Sequence, residues 1–259
     1  LLLPRSLEKM SKFFVPAEAV KGNIAVIKGK EAHHITRVMR LREGERISAF
    51  DGSGKSYQGI IKETRRGSVT ITIESAHNST SENTPHITLI QALPKKEKID
   101  YIIEKCTELG IDSVIPVTTE RTIVKLSEEK AFLCQQRWQK IALAASKQCG
   151  RTTTPVISKV TLWTDILDIL EKFELKLIFC LDPKTQRLKD VLRKEKAQIK
   201  NIAFLIGPEG DFSPQEIEAA LSRGCLPVSL GELVLKVDTA AIAALAMLNY
   251  ELQISTIPQ

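Results

Sequence analysis

Ile206-Gly207-Pro208-Glu209-Gly210-Asp211-Phe212 joins an apolar run to a helix-capping signal and carries the sharpest chemical pattern in the chain. In an open α/β sheet, ligands lie at the carboxyl ends of strands, so a loop here is where a cofactor belongs. Two glycines three apart let a ligand approach the main chain closely. The spacing is neither GxGxxG nor the P-loop pattern, so those phosphate-binding motifs are absent. Charge argues the same way. A phosphate at a helix N-terminus wants bare amides, and Glu209 and Asp211 would repel it. A ligand bearing hydroxyls, an amine or a sulfonium suits the loop, and S-adenosylmethionine has all three without a phosphate. The alternative is a tight turn whose acids do no more than complement the helix dipole.

A second loop, Leu230 to Thr239, sets Lys236 and Asp238 in the otherwise apolar run from Leu233. Lone buried charges are costly, so the two face a ligand or form a solvated pair. Thr107-Glu108-Leu109-Gly110 and Glu120-Arg121-Thr122 end successive elements, and Gln148-Cys149-Gly150-Arg151 closes a long helix with Arg151 exposed. Ordinary capping accounts for each of these equally well. The cysteines at 106, 134, 149, 180 and 225 contain no CxxC pair, and His33 and His34 are adjacent, so their side chains diverge. Neither a disulfide framework nor a metal site is expected. All four histidines precede residue 87 and none stands beside a nucleophile elbow, which argues against a Ser-His-Asp or Cys-His triad.

The elements that must position these loops change rhythm along the chain. Short apolar runs at Phe13–Val15, Ile24–Ile27, Ile47–Phe50, Tyr57–Ile61 and Val69–Ile73, with turns such as Asp51-Gly52-Ser53-Gly54, predict a small β-barrel or sandwich. One helix near Glu31 to Arg40 interrupts it. The polar, Pro-terminated stretch Ser75 to Pro85 reads as a linker. Beyond it, strands are predicted at Ile87–Leu93, Val114–Val117, Leu175–Leu181 and Ile202–Ile206. Helices alternate with them: Ile99 to Leu109, Ser127 to Gln148, one opened by the capping box Ser213-Pro214-Gln215-Glu216, and a last from about Thr239 to Leu252. Such alternation implies a mostly parallel sheet with helices on both faces.

At 259 residues, two domains are expected. Apolar residues at 43% and charged residues at 26% exclude a disordered or collagen-like chain. The longest uncharged apolar stretch, Thr239 to Tyr250, is shorter than the ~20 residues a membrane span needs, and no signal peptide opens the chain. A cytoplasmic, membrane-free protein is expected. Met10 reads as a natural start and residues 1–9 as an extension. Residues 1–80 carry 14 Lys and Arg against 8 Asp and Glu, while the remainder balances at 23 against 23. One basic domain gripping a polyanion beside a neutral partner has this asymmetry, as does a merely solubilising surface.

In this order the motifs resemble the RsmE family of 16S ribosomal RNA uridine-N3 methyltransferases, within the knotted SPOUT superfamily. The resemblance runs from Phe13 to the C-terminus. It is carried by His33 to Gly44 with Phe50-Asp51-Gly52, by Thr107 to Gly110 and Glu120-Arg121, by Gln148 to Arg151, and most specifically by Ile206 to Gly210. It implies a PUA-like RNA-binding barrel over 10–76, a linker over 77–86, and a SPOUT-type α/β methyltransferase domain over 87–259 ending in a trefoil knot. Periodicity could not have predicted the knot. The implied cofactor is S-adenosylmethionine, held by Leu181, Ile206, Gly207, Pro208, Glu209, Gly210, Leu230, Gly231, Leu235 and Thr239. The implied partners are 16S ribosomal RNA in the small ribosomal subunit and a second copy of the chain.

Two departures stand out. Asp211 occupies a position commonly Gly in the family, and Leu233-Val234-Leu235-Lys236-Val237-Asp238-Thr239-Ala240 replaces the usual Arg-Ile-Leu-Arg-x-Glu-Thr-Ala. Lys cannot reproduce an arginine fork. For methyl transfer to uridine N3, the resemblance suggests Arg151 or Lys236 to stabilise the O2/O4 anion and Asp238 or Glu209 to accept the proton. Arg37, Arg40, Arg42, Lys55, Arg65, Arg66 and Arg121 are the expected RNA contacts. Competing readings are a non-catalytic RNA-binding ribosome-assembly factor, a nicotinamide-dependent oxidoreductase, and a related knotted enzyme acting on transfer RNA.

Overall fold

The computed structural model describes residues 12–78, 84–95, 98–182, 184–194 and 199–252. The expected extension at 1–9, the start at Met10, and positions 79–83 of the expected linker lie outside these residues. Among the described residues, those before position 82 together with Ser146–Thr154 form one compact unit, and the rest form a second.

The first unit holds β1 (Lys12–Phe14), β2 (Val20–Lys21), β3 (Ile24–Lys28), β4 (Arg46–Phe50), β5 (Lys55–Arg65) and β6 (Ser68–Asn78). They form a mixed sheet in the order β1-β4-β5-β6-β3-β2, with β1 parallel to β4 and the other pairs antiparallel. Among the described residues β1 and β2, at the two ends of this order, do not pair; a small barrel or sandwich was expected. The polar run Ser75–Asn78, read as linker, continues β6 against Lys55–Gln58. Ladder bonds are main-chain bonds, so polar side chains facing solvent do not end them. Gly59 sits at a bulge, where a Cβ would collide with the Thr72 carbonyl oxygen. The core is Phe13, Ile27, Ile35, Ile47, Ile61 and Ile71.

The expected helix near Glu31 is α1 (Gly29–His33) followed by a π-helical turn, His34–Val38. Arg40, at φ +56°, then ends it. Residues 146–154 are fastened to this unit: Lys12 Nζ donates to the Gly150 carbonyl at 2.9 Å, Lys147 pairs with Glu31, and Gly54 N donates to Thr152 O at 3.2 Å.

The second unit runs β7 (His86–Ala92), α2 (Lys98–Glu108), β8 (Ser113–Thr118), α3 (Glu128–Cys149, its last turn counted with the first unit), β9 (Val156–Ile157), β10 (Thr161–Leu162) and α4 (Trp163–Ile169). It continues with β11 (Leu175–Phe179), β12 (Gln186–Arg187), α5 (Leu188–Lys194), β13 (Asn201–Ile206), α6 (Pro214–Ser222), β14 (Leu226–Ser229) and α7 (Val237–Glu251). The sheet order is β10-β8-β7-β13-β11-β14-β12 with β9 beside β8, and every pair is parallel.

Both faces are covered, which is why the central strands read as continuous apolar runs. On β13, Ile202, Phe204 and Ile206 pack with α2, α3 and α7, while Ala203 and Leu205 pack with α4 and α6. Each such buried Ile, Leu or Phe side chain stabilises the fold by roughly 1.5–3 kcal/mol. The last helix opens two residues earlier than periodicity suggested, with Lys236 as its extended N-cap.

Candidate cofactor site

Where β11, β13 and β14 end, the loops following them close round a cavity of about 300 Å³. That lies at the lower end of the range for small-ligand pockets, roughly 300–1,000 Å³. Its walls are Phe179 to Leu181, Ile206 to Glu209, Val228 to Gly231, and the run from Leu233 to Val237. The sheet places the floor because Phe179, Ile206 and Val228 are partners across neighbouring strands.

The loop after β13 is held from several sides. Ser213 Oγ accepts from Glu216 N at 3.3 Å while Glu216 Oε2 accepts from Ser213 N at 2.9 Å, the capping box that the sequence predicts. Glu216 Oε1 also accepts from Glu120 N at 2.8 Å, which ties the end of the β8 loop to α6. Arg121 Nη1 donates to the carbonyls of Gly210 at 2.7 Å and Phe212 at 3.3 Å. Arg121, expected to contact RNA, is thus bonded to the loop, an arrangement that local spacing could not disclose.

The acids of the loop are partnered as well. Glu209 accepts from Lys95 N through both oxygens, at 3.0 and 3.3 Å, and its Oε1 stands 3.4 Å from Lys98 Nζ. Lys98 also faces Asp238 Oδ1 at 3.8 Å. Asp211 Oδ2 accepts from Leu181 N at 2.8 Å and Oδ1 from Phe212 N at 2.8 Å. Hydrogen bonds satisfy these carboxylates without cancelling their charge. With Lys98 and Lys236 present, the cavity offers two carboxylates and two ammonium groups amid apolar walls. Burial pushes the Cys180 thiol, on the same wall, up to about 12, with the charges of Asp211 and Asp182 adding to the effect. It is therefore a protonated wall residue at neutral pH rather than a nucleophile.

Of the residues expected to hold a cofactor, Leu181, Ile206, Gly207, Pro208, Glu209, Leu230, Gly231 and Leu235 line the cavity. Gly210 and Thr239 are not among the lining residues. A Cβ on Gly210 would meet the Arg121 side chain at 3.5 Å, an ordinary van der Waals contact on the side of the loop where Arg121 stands. Lys236 lines the cavity and is exposed. Asp238 stands behind the wall, its Oδ1 buried and without a hydrogen-bond partner. Arg151 belongs to the first unit, where its guanidinium donates to Thr153 Oγ1 at 2.9 Å.

Arg37, Arg40, Arg42, Lys55, Arg65 and Arg66 are exposed on the first unit, with Arg65 paired to Glu63 at 2.8 Å. Sequence reasoning missed Lys98, which reads as one more lysine in the charged run that leads into α2. It also noticed Asp211 as a charge but not as a bond.

The profile of an RNA methyltransferase domain matches residues 81–249, and that of an RNA methyltransferase PUA domain matches residues 27–74. The chain belongs to this RNA methyltransferase family. Ribosomal RNA small subunit methyltransferase E of Synechocystis is 28% identical over 250 residues, covering 93% of this chain and 80% of the relative. The Bacillus subtilis protein of the same name is 27% identical, covering 88% and 90%. Among solved structures, the Legionella pneumophila protein Lpg2936 in complex with bound cofactor SAM is 31% identical. It covers 93% of this chain and 97% of its own at a TM-score of 0.81. Ribosomal RNA small subunit methyltransferase E from Neisseria gonorrhoeae bound to S-adenosyl methionine gives 29%, the same coverage and a TM-score of 0.79. The family accounts for both units: a PUA domain in the first and the methyltransferase domain in the second.

Proposed function

We propose that this chain transfers a methyl group from S-adenosylmethionine to N3 of a uridine in 16S ribosomal RNA of the small subunit. The observation that carries the reading is the convergence of three strand ends, after β11, β13 and β14, on one cavity in a chain of an RNA methyltransferase family. The cavity suits that cofactor chemically. Phe179, Ile206, Val228 and Leu235 supply an apolar slot for an adenine ring, Gly231 leaves open space, and Glu209 and Asp211 favour a cationic centre. The backbone from Ile206 to Glu209, with Leu181, Leu230 and Gly231, would hold it.

When bound, the cofactor supplies an electrophilic methyl group on its sulfonium. The protein's own task is the uridine, whose N3–H is a weak acid. Lys236, exposed at the cavity wall, stabilises the O2/O4 anion. Glu209, on the cavity wall, or Asp238 behind it accepts the proton, directly or through water. Alignment of the base contributes several kcal/mol more, and the base must be unstacked to reach the cavity. Arg37, Arg40, Arg42, Lys55, Arg65 and Arg66 hold phosphates.

The strand order supports a trefoil knot. β11 is flanked by β13 and β14, both later in the chain, rather than by its sequence neighbours. A homodimer accords with Leu233 and Val234, 81% and 75% exposed beside the cavity. No helix among the described residues is long and apolar enough to cross a membrane, and the ribosomal substrate argues for the cytoplasm. The test is incubation with S-adenosylmethionine and small ribosomal subunits lacking this methylation, followed by nucleoside mass spectrometry. Appearance of 3-methyluridine is expected. Its absence, with the cofactor bound, would overturn the assignment in favour of an assembly factor.

A further inference from the structure

Parallel strands β11 and β13 share their last rung at Phe179 and Ile206. Past that rung the main chains separate, and both lips of the cavity, Leu181 and Gly207, lie on the separated segments. One side chain rejoins them. Asp211 reaches back so that Oδ2 accepts from Leu181 N at 2.8 Å, while Oδ1 accepts from Phe212 N at 2.8 Å and its own N–H donates to Pro208 O at 3.0 Å. It does so from φ +61°, a left-handed conformation that glycine adopts more readily. Gly207 has no Cβ where one would press on Asp211 Oδ1 at 3.1 Å, so the carboxylate is seated directly against the cofactor loop.

We propose that Asp211 is a positioning residue for the cofactor, supplying by its carboxylate the rung that the two strands lack and fixing Leu181 against the Gly207 loop. The proposal rests on the reading of this cavity as the S-adenosylmethionine site. Glycine at 211 would relieve the backbone and open the latch, so stability and affinity should part company.

Wild type, Asp211→Gly and Asp211→Asn are compared by calorimetric titration with S-adenosylmethionine, thermal unfolding without ligand, and steady-state kinetics. Asp211→Gly should unfold within a few degrees of wild type yet bind the cofactor at least fivefold more weakly. KM for the cofactor should rise and kcat at saturation should be kept. Asp211→Asn retains one acceptor oxygen and should fall between. Equal affinity in Asp211→Gly, or losses of affinity that track losses of melting temperature across the variants, would overturn the latch. Failure of the wild type itself to bind would instead overturn the reading of the cavity.

Discussion

Arg121 Nη1 lies 2.7 Å from the carbonyl oxygen of Gly210, so a guanidinium 89 residues earlier in the chain braces the loop after β13. A charged hydrogen bond contributes about 1.5–3 kcal/mol, less at an exposed side chain. Arg121→Ala should therefore cost about 1 kcal/mol, or roughly fivefold in S-adenosylmethionine affinity. It should leave the salt dependence of RNA binding unchanged. A slope reduced by about one phosphate contact would return Arg121 to the RNA-binding set.

Lys98 stands between two carboxylates from different segments, Glu209 at 3.4 Å and Asp238 at 3.8 Å. Lys98→Met would leave these acids facing each other across the cavity edge. Because the groups are partly exposed, the expected loss is about 0.5–1 kcal/mol, a two- to fivefold weaker cofactor affinity. Lys98→Arg should restore most of it, and isothermal titration of both variants decides the matter.

The first unit carries a pH-sensitive pair. Tyr57 Oη donates to Asp51 Oδ2 at 2.9 Å. Burial, then the bond to Asp51 and its charge, push the Tyr57 phenol up to about 12. Burial alone would raise Asp51, but bonds from the Ser53 hydroxyl and amide and from Tyr57 outweigh it and hold this carboxyl below its usual range. A raised folded-state phenol contributes stability that is present below pH ~10 and lost as pH climbs toward 12. A depressed carboxyl contributes stability present above pH ~4 and lost as pH falls through its folded value. Tyr57→Phe should cost about 1–3 kcal/mol near neutrality, and its melting temperature should fall less steeply than wild type between pH 10 and 12. Parallel alkaline profiles would show that the pair is not coupled to folding.

Replacing Arg37, Arg40 and Arg42 together by Ala should flatten the log–log salt dependence of RNA affinity by about 0.7–0.9 per lost phosphate contact. Filter binding across a salt series measures this directly. An unchanged slope would remove these arginines from the RNA interface.

Much of this architecture was legible because local physics dictates it. The run Ile202–Ile206 could only be a strand covered on both faces, and Ser213 to Glu216 could only open a helix. The cavity loop was legible for the same reason, since it lies between those two signals. Lys98, the Arg121 strut and the Asp211 bond were not. Each joins segments brought together by the strand order, and neither periodicity nor capping chemistry encodes which strands become neighbours. The extent of β6 was missed for a different cause, because polar composition was allowed to stand for the end of a main-chain ladder. Run spacing predicted a small barrel or sandwich, and it carries no information about whether the last strand meets the first.

The position of β11 between β13 and β14 has a consequence for how the protein comes into being. Both neighbours of β11 are made after it, so during synthesis this strand waits, apolar and unpaired, until the chain has advanced beyond Ile206, and its second edge waits until Ser229. Pairings of such long sequence separation make folding slow and expose intermediates to aggregation. The wall contributed by Leu230 to Val237 is completed last. A chain cut short before Leu226 would thus carry an intact RNA-gripping unit and an unfinished methyltransferase one.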